Sequence, residues 1–306
     1  MEKRMGPPTA AIVERAFRMG TAVPAFNVPY LPMMAPIVEA LLATETFGLI
    51  QVARLEWTKF EARSLKAVRD EYARVADPRI TRLHLDHVPV VDEDGRRVDW
   101  EPILAEAIAL GYDSLMLDAS RLPLEENIST TRQAVALARP AGLPVEGELG
   151  AVFGHEAGPL PPYEELFQSG RGFTDPTEAA RMVQETGIAW LSVAIGNIHG
   201  AISGAARRRR KVEARLNIAH LERLRRAVNI PLVLHGGSGI ARACLREAIA
   251  HGIAKINVGT ALRQAYEEGL SISPAEACRR VRAATETIVC DELGVAGSAP
   301  RLLMEP

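Results

Sequence analysis

Val145-Glu-Gly-Glu-Leu-Gly150 is a short strand-like run that carries two glutamates, Glu146 and Glu148. It opens into a Gly- and Pro-rich stretch, 150–172, that holds His155 and Glu156. A connection of that length inside a compact domain is uncommon unless it works as a lid or binding loop. Three other segments end an apolar run in histidine: Leu83-His-Leu-Asp-His87, Gly196-Asn-Ile-His-Gly200 and Leu234-His-Gly-Gly-Ser-Gly239. Histidines closing several separate strands, with carboxylates beside them, point to a metal site.

Outward from that run, apolar β-type segments recur at 23–28, 47–52, 82–86, 114–117, 144–149, 190–194, 231–234 and 255–258, with helical patterns between them. Eight strands, each followed by a helix, predict an α/β fold, a (β/α)8 TIM barrel in a single domain over 1–306. Helices are expected at 33–43, 100–110, 123–139 and 178–187. Glu125 and Glu126 suit the start of the third, and Thr174-Asp-Pro-Thr-Glu178 caps the fourth. Residues after about 265 read as extra C-terminal helices, packed outside the barrel or against a partner.

In such a barrel the C-terminal strand ends gather on one face, where active sites are built. Asp86, His87, Asp118, Glu148, His199, His235 and Asn257 all fall at or just past strand ends. Any one histidine alone is more often a hydrogen-bonded structural residue than a ligand. Three at strand ends reverse that balance, and His87, His199 and His235 form a ligand set suited to Zn²⁺ or a similar metal. His84 is out of phase with Leu83 and Leu85 and is expected in the interior, whereas His220 and His251, in helical stretches, are expected at the surface. The glycines of His235-Gly-Gly-Ser-Gly239, together with Gly200 and Asn257-Val-Gly-Thr260, let backbone N–H groups approach a phosphate. The basic run 207–211 reads as a solvated loop rather than a nucleic-acid patch.

Composition bounds the function. A net charge of −2 gives no drive towards nucleic acid or anionic membrane. Cys244, Cys278 and Cys290 form no CxxC pair, which argues against a disulfide framework and a structural zinc site. The N-terminus is too charged for a signal-peptide core, and no apolar run approaches membrane-spanning length. The expectation is a cytoplasmic protein with no nucleic-acid or membrane partner.

These segments, with Met116-Leu-Asp-Ala-Ser120, Pro123-Leu-Glu-Glu-Asn127, Phe173-Thr-Asp-Pro176 and Lys255-Ile-Asn-Val-Gly-Thr260, resemble the class II, metal-dependent fructose-bisphosphate and tagatose-bisphosphate aldolases. The resemblance runs from about Ala25 to Arg263. It implies a zinc ion, or another divalent metal, on His87, His199 and His235, with Asp118 and Glu148 near a second or alternative metal position. It also allows a monovalent cation or a second divalent metal. A ketone donor such as dihydroxyacetone phosphate is implied, with Asn27, Gly200, Gly236, Ser238, Asn257 and Thr260 holding the substrate and its phosphate. Glu156 matches the proton-abstracting glutamate, and Asp86 the aspartate that exchanges a proton with the aldehyde oxygen. A homodimer or homotetramer acting on a small sugar phosphate, ketone or aldehyde is implied.

Four positions depart from the family pattern. Its Gly-Gly-x-Glu-Asp loop is Phe153-Gly-His-Glu-Ala157 here, a serine after the second strand is Ala53, a lysine is Ser203, and an acidic or amide residue is Gly259. The grip on the aldehyde partner is therefore weakened: either that partner is not the usual phosphorylated triose, or its phosphate is held by other residues such as the arginines near 207–210. Two other readings compete. A metal-dependent hydrolase barrel would carry His-x-His after the first strand, where Phe26-Asn-Val-Pro-Tyr30 stands. A non-catalytic sugar-phosphate-binding barrel would not need both proton-transfer carboxylates.

Overall fold

The structure is a computed structural model that describes residues 6–152, 162–198 and 214–304. Eight parallel strands, β1 (Val23–Asn27), β2 (Gly48–Ala53), β3 (Thr81–Pro89), β4 (Ser114–Asp118), β5 (Val145–Leu149), β6 (Trp190–Val193), β7 (Leu232–Leu234) and β8 (Ile253–Val258), pair in sequence order, and β8 closes on β1. All eight expected strands are present, in the expected (β/α)8 TIM barrel. β3 runs past its expected end at 86 to Pro89. Its register with β4 shifts between Leu85 and Val88, and His87 there takes a φ of 31°. In a regular strand Asp86 and His87 would face opposite sides of the sheet. The bulge turns both side chains into one cavity at the mouth of the barrel.

The helices Met34–Ala43, Trp100–Leu110, Leu124–Ala138 and Pro176–Thr186 lie where the patterns place them. Asp175 caps the last, its side chain accepting the N–H groups of Thr177 and Glu178. The stretch after β5 is not all loop, because Tyr163–Ser169 forms a helix with Glu164 and Glu165 in its first turn. Residues 153–161, with His155 and Glu156, lie outside the described residues. Gly150 ends β5 at a φ of 93°, where an added Cβ would stand 2.7 Å from Thr174 Oγ1, so the turn out of the barrel requires glycine.

The two ends of the barrel differ in chemistry. The helix Thr9–Met19 sets Ile12, Val13 and Ala16 against Val23, Phe47, Trp190 and Val233, an apolar plug at the N-terminal end of the strands. Fixing that end leaves the C-terminal mouth for polar groups. The helices Thr260–Leu270 and Pro274–Thr287 pack on each other, and the second packs on Met34–Ala43, outside the barrel as expected. Among the described residues no helix is long and apolar enough to cross a membrane.

Candidate metal and active site

A connected set of polar side chains rises through the barrel from β5 and β8 to the mouth. Glu146, fully buried on β5, accepts from Lys255 Nζ at 2.8 Å and Trp190 Nε1 at 2.6 Å, and its Oε1 lies 2.7 Å from His235 Nε2. Lys255 also donates to Asn257 Oδ1 at 2.8 Å, and Asn257 Nδ2 donates to Asp86 Oδ1 at 2.9 Å. Asp86 Oδ2 accepts from Asn27 at 2.9 Å and from Gln51 at 3.2 Å. Three amide donors thus fix one carboxylate, and three donors fix the other.

At the mouth two imidazoles meet. His235 Nδ1 stands 2.7 Å from His87 Nε2, while His87 Nδ1 lies 3.4 Å from Asp118 Oδ2. Because Glu146 can only accept, His235 carries its proton on Nε2 and presents the Nδ1 lone pair to His87. A metal-binding histidine is ordinarily held in this way, with its far nitrogen donating to a carboxylate. Glu148 adds a buried carboxylate 3.4 Å from His235 Nδ1, and its Oε2 has no hydrogen-bond partner among the described residues. Ligand atoms of Asp86, His87 and His235 lie within 4.8 Å of one another, as do those of His87, Asp118 and Glu148. Two nitrogen donors, nearby carboxylates and a buried oxygen without a partner fit a divalent cation.

The electrostatics follow from this crowding. Burial would lower the His87 pKa, but the carboxylates of Asp86, Asp118 and Glu148 outweigh it and push it up to about 10. Burial and the neighbouring His87 charge push His235 down. Burial opposes ionisation of Asp86, yet His87 and Lys255 hold it at about 2, while His87 and Ser120 do the same for Asp118. Burial and the nearby Asp118 charge raise Glu148 well above the usual carboxylate range. One proton between the two rings therefore occupies the place suited to a metal.

The structure brings together Asp86, His87, His235, Asp118 and Glu148, and places Asn27, Gly236, Ser238, Asn257 and Thr260 around the same mouth. His199, Gly200, Glu156 and the basic run 207–211 lie outside the described residues. His84 is fully buried, as its strand phase predicts, with Nδ1 2.8 Å from Ser114 Oγ. His220 is not a surface residue: it is buried, with Nε2 2.7 Å from the Thr174 carbonyl oxygen, because its helix packs against Pro176–Thr186. Sequence reasoning assigned no role to Gln51, Lys255 or Glu56. A charged residue inside the apolar run Ile253–Val258 was the available signal for Lys255. Glu56 is buried on the same cavity, its Oε2 accepting the Ala53 N–H at 2.8 Å. Burial pushes its carboxyl up to about 8, against that hydrogen bond.

Residues 8–301 match the class-II fructose-bisphosphate aldolase family. A probable fructose-bisphosphate aldolase of Bacillus subtilis (strain 168) is 32% identical over 274 residues, 87% of this chain and 86% of the relative. Protein YdjI of Escherichia coli (strain K12) is 45% identical over 180 residues, 58% of this chain and 59% of that relative, so this match spans less than two thirds of its length. The crystal structure of the YdjI aldolase superimposes with a TM-score of 0.75 at 29% identity, covering 96% of this chain and 100% of the other. A putative fructose-1,6-bisphosphate aldolase from Coccidioides immitis gives 0.75 at 26%, covering 96% and 98%. With its eight-stranded barrel and its cluster of histidines and carboxylates, the chain belongs to the class-II fructose-bisphosphate aldolase family.

Proposed function

We propose that the chain is a divalent-metal-dependent aldolase that reversibly cleaves a ketose phosphate into dihydroxyacetone phosphate, or a related ketone, and an aldehyde. The observation that carries this reading is the 2.7 Å approach of His87 Nε2 and His235 Nδ1 beside the Asp86 carboxylate, in one cavity with Ser238 and Thr260. His87, His235 and His199 would hold the metal, zinc by family resemblance, with Asp118 and Glu148 next to it. When bound, the cation supplies Lewis-acid polarisation of the donor carbonyl.

The chain's own residues do the rest. Asn27, Gln51 and Asn257 orient Asp86, which in cleavage takes the proton of the hydroxyl beside the breaking bond and in condensation returns it. Glu156, by its match to the family pattern, removes the proton at the donor carbon. Gly236, Ser238 and the N-terminus of the helix Thr260–Leu270 suit the donor phosphate, because backbone N–H groups and the helix dipole favour an anion there. The family resemblance supports a homodimer or homotetramer, and three cysteines with no CxxC pair support a reducing, cytoplasmic location.

The test is deuterium exchange at the hydroxymethyl carbon of dihydroxyacetone phosphate in D₂O, followed by NMR with zinc-loaded and chelator-stripped protein. Exchange that requires metal supports the donor half-reaction without any assumption about the aldehyde. Absence of exchange in both samples sinks the reading for this donor.

A further inference from the structure

Lys255 is fully buried on β8, two residues deeper in the barrel than Asn257 and on the same face of the strand. Asn257 lines the cavity that holds Asp86 and His87, and Lys255 stands beneath it. Its Nζ donates to Asn257 Oδ1 and to Glu146 Oε2, each at 2.8 Å. Two limbs leave from these contacts. One runs through Glu146, whose Oε1 lies 2.7 Å from His235 Nε2, and reaches the imidazole pair. The other runs through Asn257, whose Nδ2 donates to Asp86 Oδ1 at 2.9 Å, and reaches the proton-transfer carboxylate.

An ammonium donates and cannot accept, so it fixes the polarity of both limbs. Asn257 must turn its oxygen to Lys255, which leaves its amide N–H groups for Asp86. On the other side burial opposes ionisation of Glu146, and the charge of Lys255 outweighs it and holds the carboxyl low. With Lys255 and Trp190 both donating to Oε2, Oε1 remains to accept the His235 proton. His235 Nδ1 is thereby left as the nitrogen with a lone pair at the mouth of the barrel.

We propose that Lys255 is a positioning residue for both halves of the site, setting the tautomer of His235 through Glu146 and the orientation of Asp86 through Asn257. The Asp86 limb rests on the aldolase reading above. The His235 limb rests only on metal binding.

The experiment compares full-length wild type with Lys255→Met, with Glu146→Gln and with the charge-neutral pair Lys255→Met/Glu146→Gln. In a competition titration with a chelator, zinc affinity is expected to fall by about 10- to 100-fold in Lys255→Met. At saturating zinc, cleavage of fructose 1,6-bisphosphate or fructose 1-phosphate is divided by donor deuterium exchange with dihydroxyacetone phosphate. Exchange reports on the metal and the base, whereas cleavage also needs Asp86, so the ratio isolates Asp86. It is expected to fall by about tenfold or more in both variants that lack Lys255, the scale of a misplaced catalytic group, and to stay put in Glu146→Gln, which keeps the Lys255–Asn257 contact. A merely structural role lowers stability, exchange and cleavage together and leaves the ratio alone.

A ratio unmoved without Lys255, or zinc affinity unchanged in Lys255→Met, overturns the proposal. The double variant leaves no buried charge without a counter-charge, so the ratio is read on it if Lys255→Met does not fold. The zinc titration needs no substrate and decides by itself if neither ketose is cleaved. Absent exchange in the wild type removes the aldolase reading and the Asp86 limb with it, whereas intact exchange with an unmoved ratio removes this inference alone.

Discussion

His87 Nε2 and His235 Nδ1 stand 2.7 Å apart, a separation that requires one proton between two nitrogens. His235 already uses its own proton on Glu146, so the shared one belongs to His87. With its pKa pushed up to about 10, His87 is a cation at neutral pH in the metal-free protein. A metal binding both rings must displace that proton. Zinc binding is expected to release about one proton per site, with apparent affinity rising about tenfold per pH unit between pH 6.5 and 9. Calorimetry in buffers of differing ionisation enthalpy measures it directly, and binding without proton release would show that His87 is neutral or not a ligand.

Glu146 is the hinge between this pair and the interior. It bears one negative charge against Lys255, with Trp190 and His235 donating to the same carboxylate. Glu146→Gln leaves a buried ammonium without its counter-charge and is expected to cost roughly 3–5 kcal/mol in chemical denaturation. The amide can also offer His235 the wrong hydrogen-bond polarity, so zinc affinity is expected to fall by about 10- to 100-fold in a competition titration. Unchanged stability and affinity would remove Glu146 from the positioning of His235.

What the sequence made legible here was the pattern that has a fixed period. Eight apolar runs separated by helical ones are sufficient for the barrel, and the rule that strand ends converge gathers His87, Asp118, Glu148, His235 and Asn257 in advance. The bulge in β3 was not legible, because no glycine stands at it: His87 adopts a positive φ without the residue type that ordinarily signals one. Gln51 was likewise silent, and Lys255, though marked as a charge inside an apolar run, gave no partner, since alternation says that a side chain faces the barrel interior but not what it meets there. His220 was misplaced because a polar residue on an amphipathic helix was assumed to face solvent, and the carbonyl of Thr174 supplies its partner inside.

Glu156 separates an enzyme from a binding barrel. Its carboxylate matches the family's proton-abstracting base, and a binder has no use for a base at that position. Glu156→Gln is expected to lower donor deuterium exchange and aldol turnover by about 10²- to 10⁴-fold, the range of a general acid–base contribution. Affinity for dihydroxyacetone phosphate, read by calorimetry on the zinc-loaded variant, is expected to change far less. Equal exchange in the variant and the parent would move the proton-transfer role to another residue.

Glu56 gives the protein a pH signature of its own. Its carboxyl, ordinarily near 4.5, is pushed up to about 8 in the fold, chiefly by burial. Between those values the folded chain keeps a proton that the unfolded chain has lost. The stability this contributes is complete below pH 4.5 and is lost as pH rises towards 8, at about 1.4 kcal/mol per pH unit. Glu56→Gln retains a neutral side chain at every pH, so that loss disappears. In metal-stripped protein, urea denaturation at steps from pH 5 to 7.5 is expected to give a shallower decline for the variant than for the parent, by about that slope. The comparison between the two proteins isolates Glu56, since His87, whose pKa is also raised, titrates in both. Parallel curves would mean that Glu56 is ionised in the fold, held by a nearby cation that outweighs its burial.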